Sequence, residues 1–245
     1  EKKPRQFGGT KLATKNLSVK YEKQLALKPS SIELVEGQIT ALMGRNGSGK
    51  SSLIKSLLGV IDFEGDVKSF AKKVGYIPQD ANDLLYHQSV KSECEQTNKD
   101  HKLINGTTEN LLQRLAPTIN VNSHPRDLSE GQRLALVLSI VLAPEPDLIL
   151  LDEPTRGLDY ESKELLIEQL KNCAARGASI LIASHDVELI AELADRIIIL
   201  AEGEIVADGT ALEVLLASPA FAPQVTKVMA PRKWLTINDV LQAME

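Results

Sequence analysis

The stretch ITALMGRNGSGKSSLIKSLLGV, from Ile39 to Val60, decides how this chain folds. It contains Gly-x-x-x-x-Gly-Lys-Ser between Gly44 and Ser51, which is the complete P-loop pattern. QITALMG before the loop predicts a buried strand, and SLIKSLLG after it has helical spacing and a closing glycine, Gly59. The order strand, glycine loop, helix predicts an α/β fold with a parallel sheet.

The chemistry of a phosphate site explains the residue types in this loop. Glycines let several backbone N–H groups point inward at phosphates, and the positive end of the following helix adds attraction. Lys50 is expected to reach the β and γ phosphates, and Ser51 to offer its hydroxyl to Mg²⁺. A dinucleotide-binding glycine loop is disfavoured, because Ser52 stands where its third glycine would be. The predicted nucleotide-binding residues of the loop are Gly44, Asn46, Gly47, Ser48, Gly49, Lys50, Ser51 and Ser52.

Two acids follow a second aliphatic run, PDLILLDEPT. Leu148 to Leu151 predicts a buried strand that carries Asp152 and Glu153 to the C-terminal edge of the sheet, where ligands of open α/β sheets bind. Asp152 suits a contact to Mg²⁺ and its water. Glu153 could act as the general base that polarises an attacking water.

A third aliphatic run, ASILIASHD, ends in Ser184-His185-Asp186. A histidine at a strand end beside a γ-phosphate can donate a hydrogen bond to it, so His185 is a predicted catalytic residue. The other three histidines lack such neighbours and receive no role.

The stretch DLSEGQRLAL, from Asp127 to Leu136, permits two interpretations. Ser129 precedes a helix predicted from Glu130 to Leu142, and together with Gln132 it fits a capping box. Its hydroxyl and the N–H groups at the helix start also suit a phosphate. Ser129 is therefore either a cap alone or a cap that also contacts a nucleotide.

With these motifs in this order, the chain resembles the ATP-binding cassette of ABC transporters over roughly Leu12 to Leu216. The motifs are GRNGSGKSS, GYIPQD, LSEGQ, LILLDEPTRGLD and SHD, and LSEGQ has Glu130 where the family usually has glycine. The fold that this resemblance implies is an α/β P-loop NTPase with a RecA-like core, an antiparallel β subdomain and a helical arm. The implied cofactors are ATP and Mg²⁺.

The resemblance also implies roles for individual residues. Tyr21 would stack on adenine, and Gln79 would sense Mg²⁺ and the attacking water while linking to a membrane partner. Asp159 would lie at the interface of two cassettes. A signature segment would cover the nucleotide of the second cassette, and it consists of Ser129, Glu130, Gly131 and Gln132.

The predicted division of the chain follows the same resemblance. Residues 1–10 are a linker, 11–79 and 144–218 the ATPase core with its β subdomain, 80–143 the helical signature subdomain, and 219–245 a C-terminal extension. In the helix expected after Asp159, the predicted core residues are Leu165, Ile167, Leu170 and Cys173.

Composition sets further bounds. The net charge is −5, and there is no basic patch rich in aromatics, so a nucleic-acid partner is not expected. The longest apolar run, Leu134 to Ala143, is shorter than the roughly 20 residues that a membrane span needs. Cys94 and Cys173 form neither a disulfide framework nor a zinc pattern, which favours thiols in a reducing compartment.

Within the ABC family, the chain resembles the energy-coupling-factor importers, and this resemblance implies the motor subunit of an importer for a vitamin or metal ion, peripheral at the cytoplasmic face of the membrane. YIPQDANDLLYHQSV resembles the Q-loop region of those importers, and residues 217–244 resemble the C-terminus of the second half of their fused double ATPases. The start at Glu1 instead of methionine predicts a piece of a longer chain. Expected partners are integral membrane transport subunits and a second cassette, either the other half of a tandem chain or an identical copy.

Two alternatives remain. One is a soluble ABC ATPase acting in translation or nucleic-acid maintenance, and the short helical arm and acidic charge weigh against it. The other is a regulatory subunit that binds nucleotide without turning it over, against which Glu153 argues.

Overall fold

The computed structural model describes residues 6–22 and 24–243, which form two sheets, a layer of helices and a helical arm. The strands are β1 (Thr10–Tyr21), β2 (Gln24–Ser30), β3 (Glu33–Val35), β4 (Ile39–Met43), β5 (Glu64–Ser69), β6 (Val74–Ile77), β7 (Leu148–Asp152), β8 (Ser179–Ala183), β9 (Arg196–Ala201) and β10 (Glu204–Thr210). The helices are α1 (Lys50–Leu57), α2 (Val90–Asp100), α3 (Thr107–Leu115), α4 (Glu130–Leu142), α5 (Tyr160–Ala175), α6 (Val187–Leu193), α7 (Ala211–Ala217), α8 (Gln224–Val228) and α9 (Ile237–Gln242).

The larger sheet has six strands in the order β10-β9-β4-β8-β7-β6. Its strands pair in parallel from β9 to β6, and β10 adds an antiparallel edge through a hairpin with β9. The three aliphatic runs predicted as strands are β4, β7 and β8, and every residue of each is buried. A strand that is covered on both faces has no need to alternate apolar and polar residues. This is why the sequences of β4, β7 and β8 are continuous apolar runs. The predicted α/β fold with a parallel sheet is confirmed.

Side chains of β4 point alternately into two cores. Ile39, Ala41 and Met43 pack with helices α4 to α7. Leu42 packs on the opposite face with α1 and with the smaller sheet. The larger sheet is therefore the middle layer, and its loops emerge at one edge between the two covering layers.

The smaller sheet is antiparallel, with β1 pairing β2, β3 and β5. The 12 residues of β1 serve all three partners because its first part pairs with β3 and β5, whereas its last residues, from Leu17 to Tyr21, pair with β2. This sheet corresponds to the predicted antiparallel β subdomain and lies over α1, through residues such as Leu17 and Leu27.

The helical arm has a small core of its own, formed by residues of α2, α3 and α4. Leu136 of α4 belongs to that core, whereas Val137 and Leu138 belong to the core under the larger sheet. Helix α4 therefore ties the arm to the main body. Its bounds are those predicted from the sequence.

The prediction for the core face of α5 needs a correction. Leu170 and Cys173 are buried as expected, but Leu165 and Ile167 are only half-buried, and the fully buried residue is Leu166. Leu165 packs on the arm core and Ile167 on the main core. The three consecutive aliphatic residues from Leu165 to Ile167 point to different sides of the helix. The elements that pack around α5 therefore decide which of them is fully buried.

The two ends of the chain attach to the body in different ways. Gly8 and Gly9 exchange backbone hydrogen bonds with Glu36 at 3.0 and 2.9 Å, so the end of the predicted linker is part of the folded body, while residues 1–5 lie outside the described part. After α7 the chain packs through the buried Leu235, and Trp234 is half-buried with Arg232 4.8 Å above its ring. The division into subdomains stays a prediction. None of the described helices combines the length and apolar character that crossing a bilayer requires.

Candidate functional site

The glycine loop lies between β4 and α1, where the strand ends and the helix begins at Lys50. Gly49 is the N-cap of α1, has a φ of 107° and provides no side-chain cap. The first N–H groups of α1 therefore face the loop without a capping side chain, as an anion site requires. Gly44 has a φ of 153°, and a Cβ there would lie 2.3 Å from the carbonyl oxygen of Leu200.

A second set of backbone contacts fixes the position of this loop. The N–H of Gly203, in the turn between β9 and β10, donates to Ser48 O at 3.1 Å, and Gly203 O accepts from the N–H of Lys28 at 2.7 Å. Cβ atoms built on Gly49 and Gly203 would lie 2.6 and 2.9 Å from the same oxygen, that of Ala26. The phosphate loop is thus joined to the smaller sheet through main-chain atoms.

Lys50 reaches back into the loop that precedes it. Its side chain is 6% exposed, and Nζ donates to Gly44 O at 2.9 Å and to Arg45 O at 3.3 Å. The same ammonium lies 3.6 Å from Oε1 of Glu153. The cation is therefore held between the loop carbonyls and the acid that follows β7.

The two predicted acids lie at the C-terminal edge of the larger sheet. Asp152 ends β7, and its Oδ1 is buried with no hydrogen-bond partner among the described residues. Burial raises the pKa of Asp152, the hydrogen bond from Ser51 opposes that effect, and the negative charge of Glu153 adds to it. A buried carboxylate oxygen of this kind next to a serine hydroxyl suits a hard cation such as Mg²⁺.

Glu153 has a left-handed backbone with a φ of 50°, a conformation that Glu22, Glu145 and Glu202 share. Its N–H donates to Ala183 O of β8 at 2.8 Å, which holds the residue against the neighbouring strand. Its side chain is largely buried, and Oε1 has no hydrogen-bond partner within the described part of the chain.

His185 lies directly beside this glutamate. Its Nδ1 is 2.7 Å from Glu153 Oε2, while its own side chain is 69% exposed. The structure brings together Lys50, Asp152, Glu153 and His185, as the sequence analysis predicted, and it adds the direct His185–Glu153 contact, which was not predicted. Their roles in catalysis stay predictions.

A cavity of about 620 Å³ opens above the glycine loop, a volume within the range of small-molecule sites. Tyr21 forms one wall and is 48% exposed, and its OH lies 3.4 Å from Ser52 Oγ. Sequence reasoning missed Ala26, Glu202 and Gly203, which also line the cavity, because no local pattern indicates which turn will pack against a loop far away in the chain. The predicted residues that line it are Tyr21, Asn46, Gly47, Gly49, Lys50, Ser51, Ser52, Gln79 and Glu153.

Gln79 also lines a second cavity of about 690 Å³ between the core and the arm. Ser51 and Asp152 border this cavity from the core, and Glu130 and Arg133 border it from α4. Gln79 therefore stands where the two cavities meet. Within the described part of the chain, no three His, Cys, Asp or Glu side chains cluster as a metal site.

The signature segment lies apart from the cavity above Lys50. Ser129 Oγ accepts from Gln132 N at 3.3 Å, and Ser129 N donates to Gln132 Oε1 at 3.2 Å, so the predicted capping box is present. Arg133 Nη1 donates to Glu130 Oε1 at 2.9 Å. None of the residues that line the 620 Å³ cavity belongs to the segment 129–132. Asp159, predicted at an interface, is an exposed N-cap of α5.

Comparison with known proteins places this geometry in context. The sequence profile of a family described as ABC transporter matches residues 27–156. An inferred ABC transporter ATP-binding protein of Streptomyces coelicolor is 47% identical over 243 residues, which are 94% of this chain and 43% of that protein. Another from Clostridium tetani is 34% identical over 230 residues, 86% of this chain and 52% of that protein. This chain thus spans about half the length of the curated relatives that it matches.

Solved structures share the fold. CbiO1 from Clostridium perfringens, described as part of the ABC transporter complex cbiONQ, superposes with a TM-score of 0.76 over 96% of this chain and 98% of its own, at 24% identity. An ATP-binding subunit of an ABC transporter superposes with a TM-score of 0.75 at 23% identity, covering 89% of this chain and 97% of its own. These similarities confirm the predicted P-loop fold with its antiparallel sheet and helical arm.

Proposed function

This chain belongs to the ABC transporter family, and from that membership we propose that it is an ATP-binding and ATP-hydrolysing motor subunit of a transporter. The observation that carries the proposal is the buried acid pair, Asp152 and Glu153, with Lys50 Nζ 3.6 Å from Glu153 at the mouth of the glycine loop. An acid held beside a phosphate-binding lysine is positioned to activate water against the terminal phosphate.

Four residues in or beside the cavity have a task in this proposal. Tyr21 stacks on the adenine, and Lys50 exchanges its bonds to the loop carbonyls for bonds to the β and γ phosphates. Glu153 takes a proton from the water while the water oxygen forms a bond to the γ-phosphorus. The bond between the γ-phosphorus and the β–γ bridging oxygen breaks, and ADP and phosphate leave. His185, whose Nδ1 lies 2.7 Å from Glu153 Oε2, donates a hydrogen bond to the γ-phosphate.

Ser51, Gln79 and Asp152 are the residues that would hold Mg²⁺. The buried Oδ1 of Asp152, which lacks a hydrogen-bond partner in the described structure, and the hydroxyl of Ser51 beside it fit such an ion. Mg²⁺ bound there would supply positive charge to the β and γ phosphates.

The signature segment, Ser129 to Gln132, is proposed to cover the nucleotide of a second cassette, with Asp159 at the interface. The support is that these residues do not line the cavity of their own Lys50, although α4 presents an N-terminus suited to phosphate. The second cassette would be the other half of a tandem chain or an identical copy. Relatives about twice as long as this chain favour the tandem arrangement.

The transported substrate class and the location also belong to the proposal. We infer an energy-coupling-factor importer of a vitamin or metal ion, with this chain at the cytoplasmic face of the membrane on integral membrane subunits. The resemblance of residues 76–90 and 217–244 to that group supports it. Purification of the full-length protein from membranes tests it. Membrane transport subunits should co-purify, whereas ribosomes or nucleic acid in their place would favour the soluble alternative.

The substitution Glu153→Gln tests the chemistry. It keeps the shape of the side chain and removes the base, so ATP hydrolysis by the full-length protein should fall at least about a hundredfold, which corresponds to about 2.7 kcal/mol in the barrier. ATP should still bind, measured by equilibrium titration. The matched control is Glu168→Gln on the exposed face of α5. If Glu153→Gln hydrolysed ATP as fast as this control, Glu153 would not be the general base. If the wild type and both variants were equally inactive, the result would favour a regulatory subunit that binds nucleotide without hydrolysing it.

A further inference from the structure

The signature segment carries one negative charge at the point where α4 begins. Glu130 is the first residue of that helix, and its side chain is 59% exposed. In the proposed function this helix end, with Ser129, receives the phosphate of a second cassette's ATP. A free carboxylate at the same place would occupy the positive end of the helix and would repel a phosphate. The charge of Glu130 therefore has to be offset.

Arg133, one turn further along α4, pairs with this carboxylate. Its Nη1 donates to Glu130 Oε1 at 2.9 Å. Its Nη2 donates to Leu128 O at 3.1 Å and to Arg126 O at 3.5 Å, in the turn that precedes the signature segment. The side chain of Arg133 is only 15% exposed. Main-chain carbonyls thus fix the guanidinium, and the guanidinium fixes the carboxylate of Glu130.

The pair lies on one particular side of the helix end. Glu130 and Arg133 border the 690 Å³ cavity between the core and the arm, whereas the other three signature residues are not part of its lining. Gly131 instead faces α5, where a Cβ built on it would lie 2.6 Å from Ser162 Oγ. The carboxylate of Glu130 is therefore held on the cavity side of α4, apart from the rest of the segment.

We propose that Arg133 is a positioning residue that keeps the carboxylate of Glu130 away from the phosphate that the signature segment serves. This inference rests on the proposed function, in which that segment covers the nucleotide of a second cassette. Arg133 neutralises Glu130 and holds it toward the cavity, so the helix end at Ser129 keeps its attraction for an anion. The need for arginine at position 133 is thus created by glutamate at position 130.

The contribution of this pair to stability separates the proposal from a purely structural role. Ion pairs three residues apart on a helix surface contribute little to the free energy of unfolding. Arg133 Nε is also buried without a hydrogen-bond partner in the described part of the chain, which costs free energy. We therefore expect loss of the positive charge to change ATP hydrolysis more than folding.

The test is a double-mutant cycle in the full-length protein, with steady-state ATP hydrolysis as the readout. Arg133→Gln keeps an N–H donor but removes the charge, so kcat should fall at least about tenfold, about 1.4 kcal/mol in the barrier. ATP affinity in equilibrium titrations should change little, because the residues around Lys50 are untouched. In a Glu130→Gln background, the same substitution at Arg133 should change kcat less than about twofold, because no carboxylate is left to hold.

Ionic strength supplies a readout that a structural role would not move. Salt screens the repulsion between an unpaired Glu130 and a phosphate, so the deficit of Arg133→Gln relative to wild type should shrink as salt rises from about 0.05 to about 0.5 M. Arg133→Lys keeps the positive charge and should retain most of the wild-type kcat. A deficit that is independent of salt and equally large in Arg133→Lys would contradict the proposal.

Arg196 supplies a matched control in another part of the molecule. Its Nη2 donates to Asp208 Oδ2 at 2.6 Å and its Nη1 to Glu33 O at 2.7 Å, so it also joins a carboxylate to a main-chain carbonyl. Arg196→Gln should leave kcat per folded molecule near the wild-type value. A fall as large as that of Arg133→Gln would mean that loss of any such arginine slows the protein, which would overturn the proposal.

The remaining outcomes distinguish failure of this inference from failure of the proposed function. If Ser129→Arg abolishes hydrolysis but Arg133→Gln is as fast as wild type, only the inference is refuted. If Arg133→Gln is equally slow with glutamate and with glutamine at position 130, Arg133 supports the turn alone, which also refutes it. Absence of hydrolysis in the wild type, or full activity of Ser129→Arg, would refute the proposed role of the signature segment and the inference with it.

Discussion

Replacing Ser129 by alanine separates the two tasks assigned to this residue. The structure shows a complete capping box, with Ser129 Oγ 3.3 Å from Gln132 N and Ser129 N 3.2 Å from Gln132 Oε1. A second capping box starts α7, where Thr210 Oγ1 lies 3.3 Å from Glu213 N and Thr210 N lies 3.1 Å from Glu213 Oε2. Ser129 and Thr210 are both exposed. Thr210→Ala is therefore a matched loss of a cap outside the proposed site.

The stability change should be similar in the two variants. Losing a serine or threonine cap costs about 1 kcal/mol. For a chain of this size that is a fall of about 2–4 °C in the melting temperature. Differential scanning calorimetry of the two variants and the wild type measures it.

The hydrolysis rates should differ. If Ser129 also contacts the γ-phosphate of a second cassette's ATP, Ser129→Ala should lower kcat about a hundredfold, or about 2.7 kcal/mol in the barrier, beyond its effect on stability. Thr210→Ala should leave kcat per folded molecule near the wild-type value. Ser129→Arg, which adds bulk and charge at the same point, should abolish hydrolysis while nucleotide still binds. Equal rates for Ser129→Ala and Thr210→Ala would mean that Ser129 is a helix cap and no more.

Three further predictions follow from the described contacts. Tyr21→Ala should weaken ATP binding about 5- to 150-fold, because stacking of a base on an aromatic ring is worth about 1–3 kcal/mol, while Tyr21→Phe should retain the affinity in the same titration. Leu166→Ala should lower the free energy of unfolding by about 2–5 kcal/mol, and the half-buried Leu165→Ala by less, in denaturant titrations. Lys163→Met removes the ammonium whose Nζ lies 2.6 Å from Asp186 Oδ2. This substitution should lower the free energy of unfolding at neutral pH, but it should have little effect at a pH low enough to protonate aspartate.

The sign of the pH effect follows from the pKa of Asp186. Burial acts to raise this pKa, but the hydrogen bonds from Lys163 and from the amide of Leu189, together with nearby positive charge that includes Lys163, outweigh burial, and the pKa is lowered. An acid with a lowered pKa in the folded state stabilises the fold above its unfolded pKa of about 3.9, and that contribution is lost as pH falls through the folded value. A deficit in Lys163→Met that stayed constant down to pH 2 would contradict this reasoning. Equal affinity of Tyr21→Ala and wild type, or a larger loss in Leu165→Ala than in Leu166→Ala, would contradict the other two predictions.

Features set by neighbouring residues could be predicted from the sequence. The bounds of α4, Glu130–Leu142, follow from a cap, a capping-box glutamine and an apolar run, all local. The strand Leu148–Asp152 follows from consecutive aliphatic residues between turn signals. The glycine loop carries its own conformational requirement, so its position between β4 and α1 was predictable as well.

Features set by distant segments of the chain could not be predicted from the sequence. That Leu166, and not Leu165, becomes central in α5 depends on how the arm and the main sheet pack around the helix. The 2.7 Å contact between His185 and Glu153 depends on β7 and β8 being neighbours in one sheet, which the strand order alone decides. The close approach of α4 and α5, where a Cβ built on Gly131 would lie 2.6 Å from Ser162 Oγ, likewise needs two helices to meet, and no pattern within either helix indicates it.

The junction between the glycine loop and the smaller sheet limits which substitutions this protein can accumulate. Side chains added at Gly49 or at Gly203 would strike the same carbonyl oxygen, that of Ala26, and a carbonyl is common to all twenty residue types. No second-site change at position 26 can therefore compensate for a first change at either glycine. In a saturation library, both glycines should remain invariant among functional clones, while Ala26 itself should accept other residues.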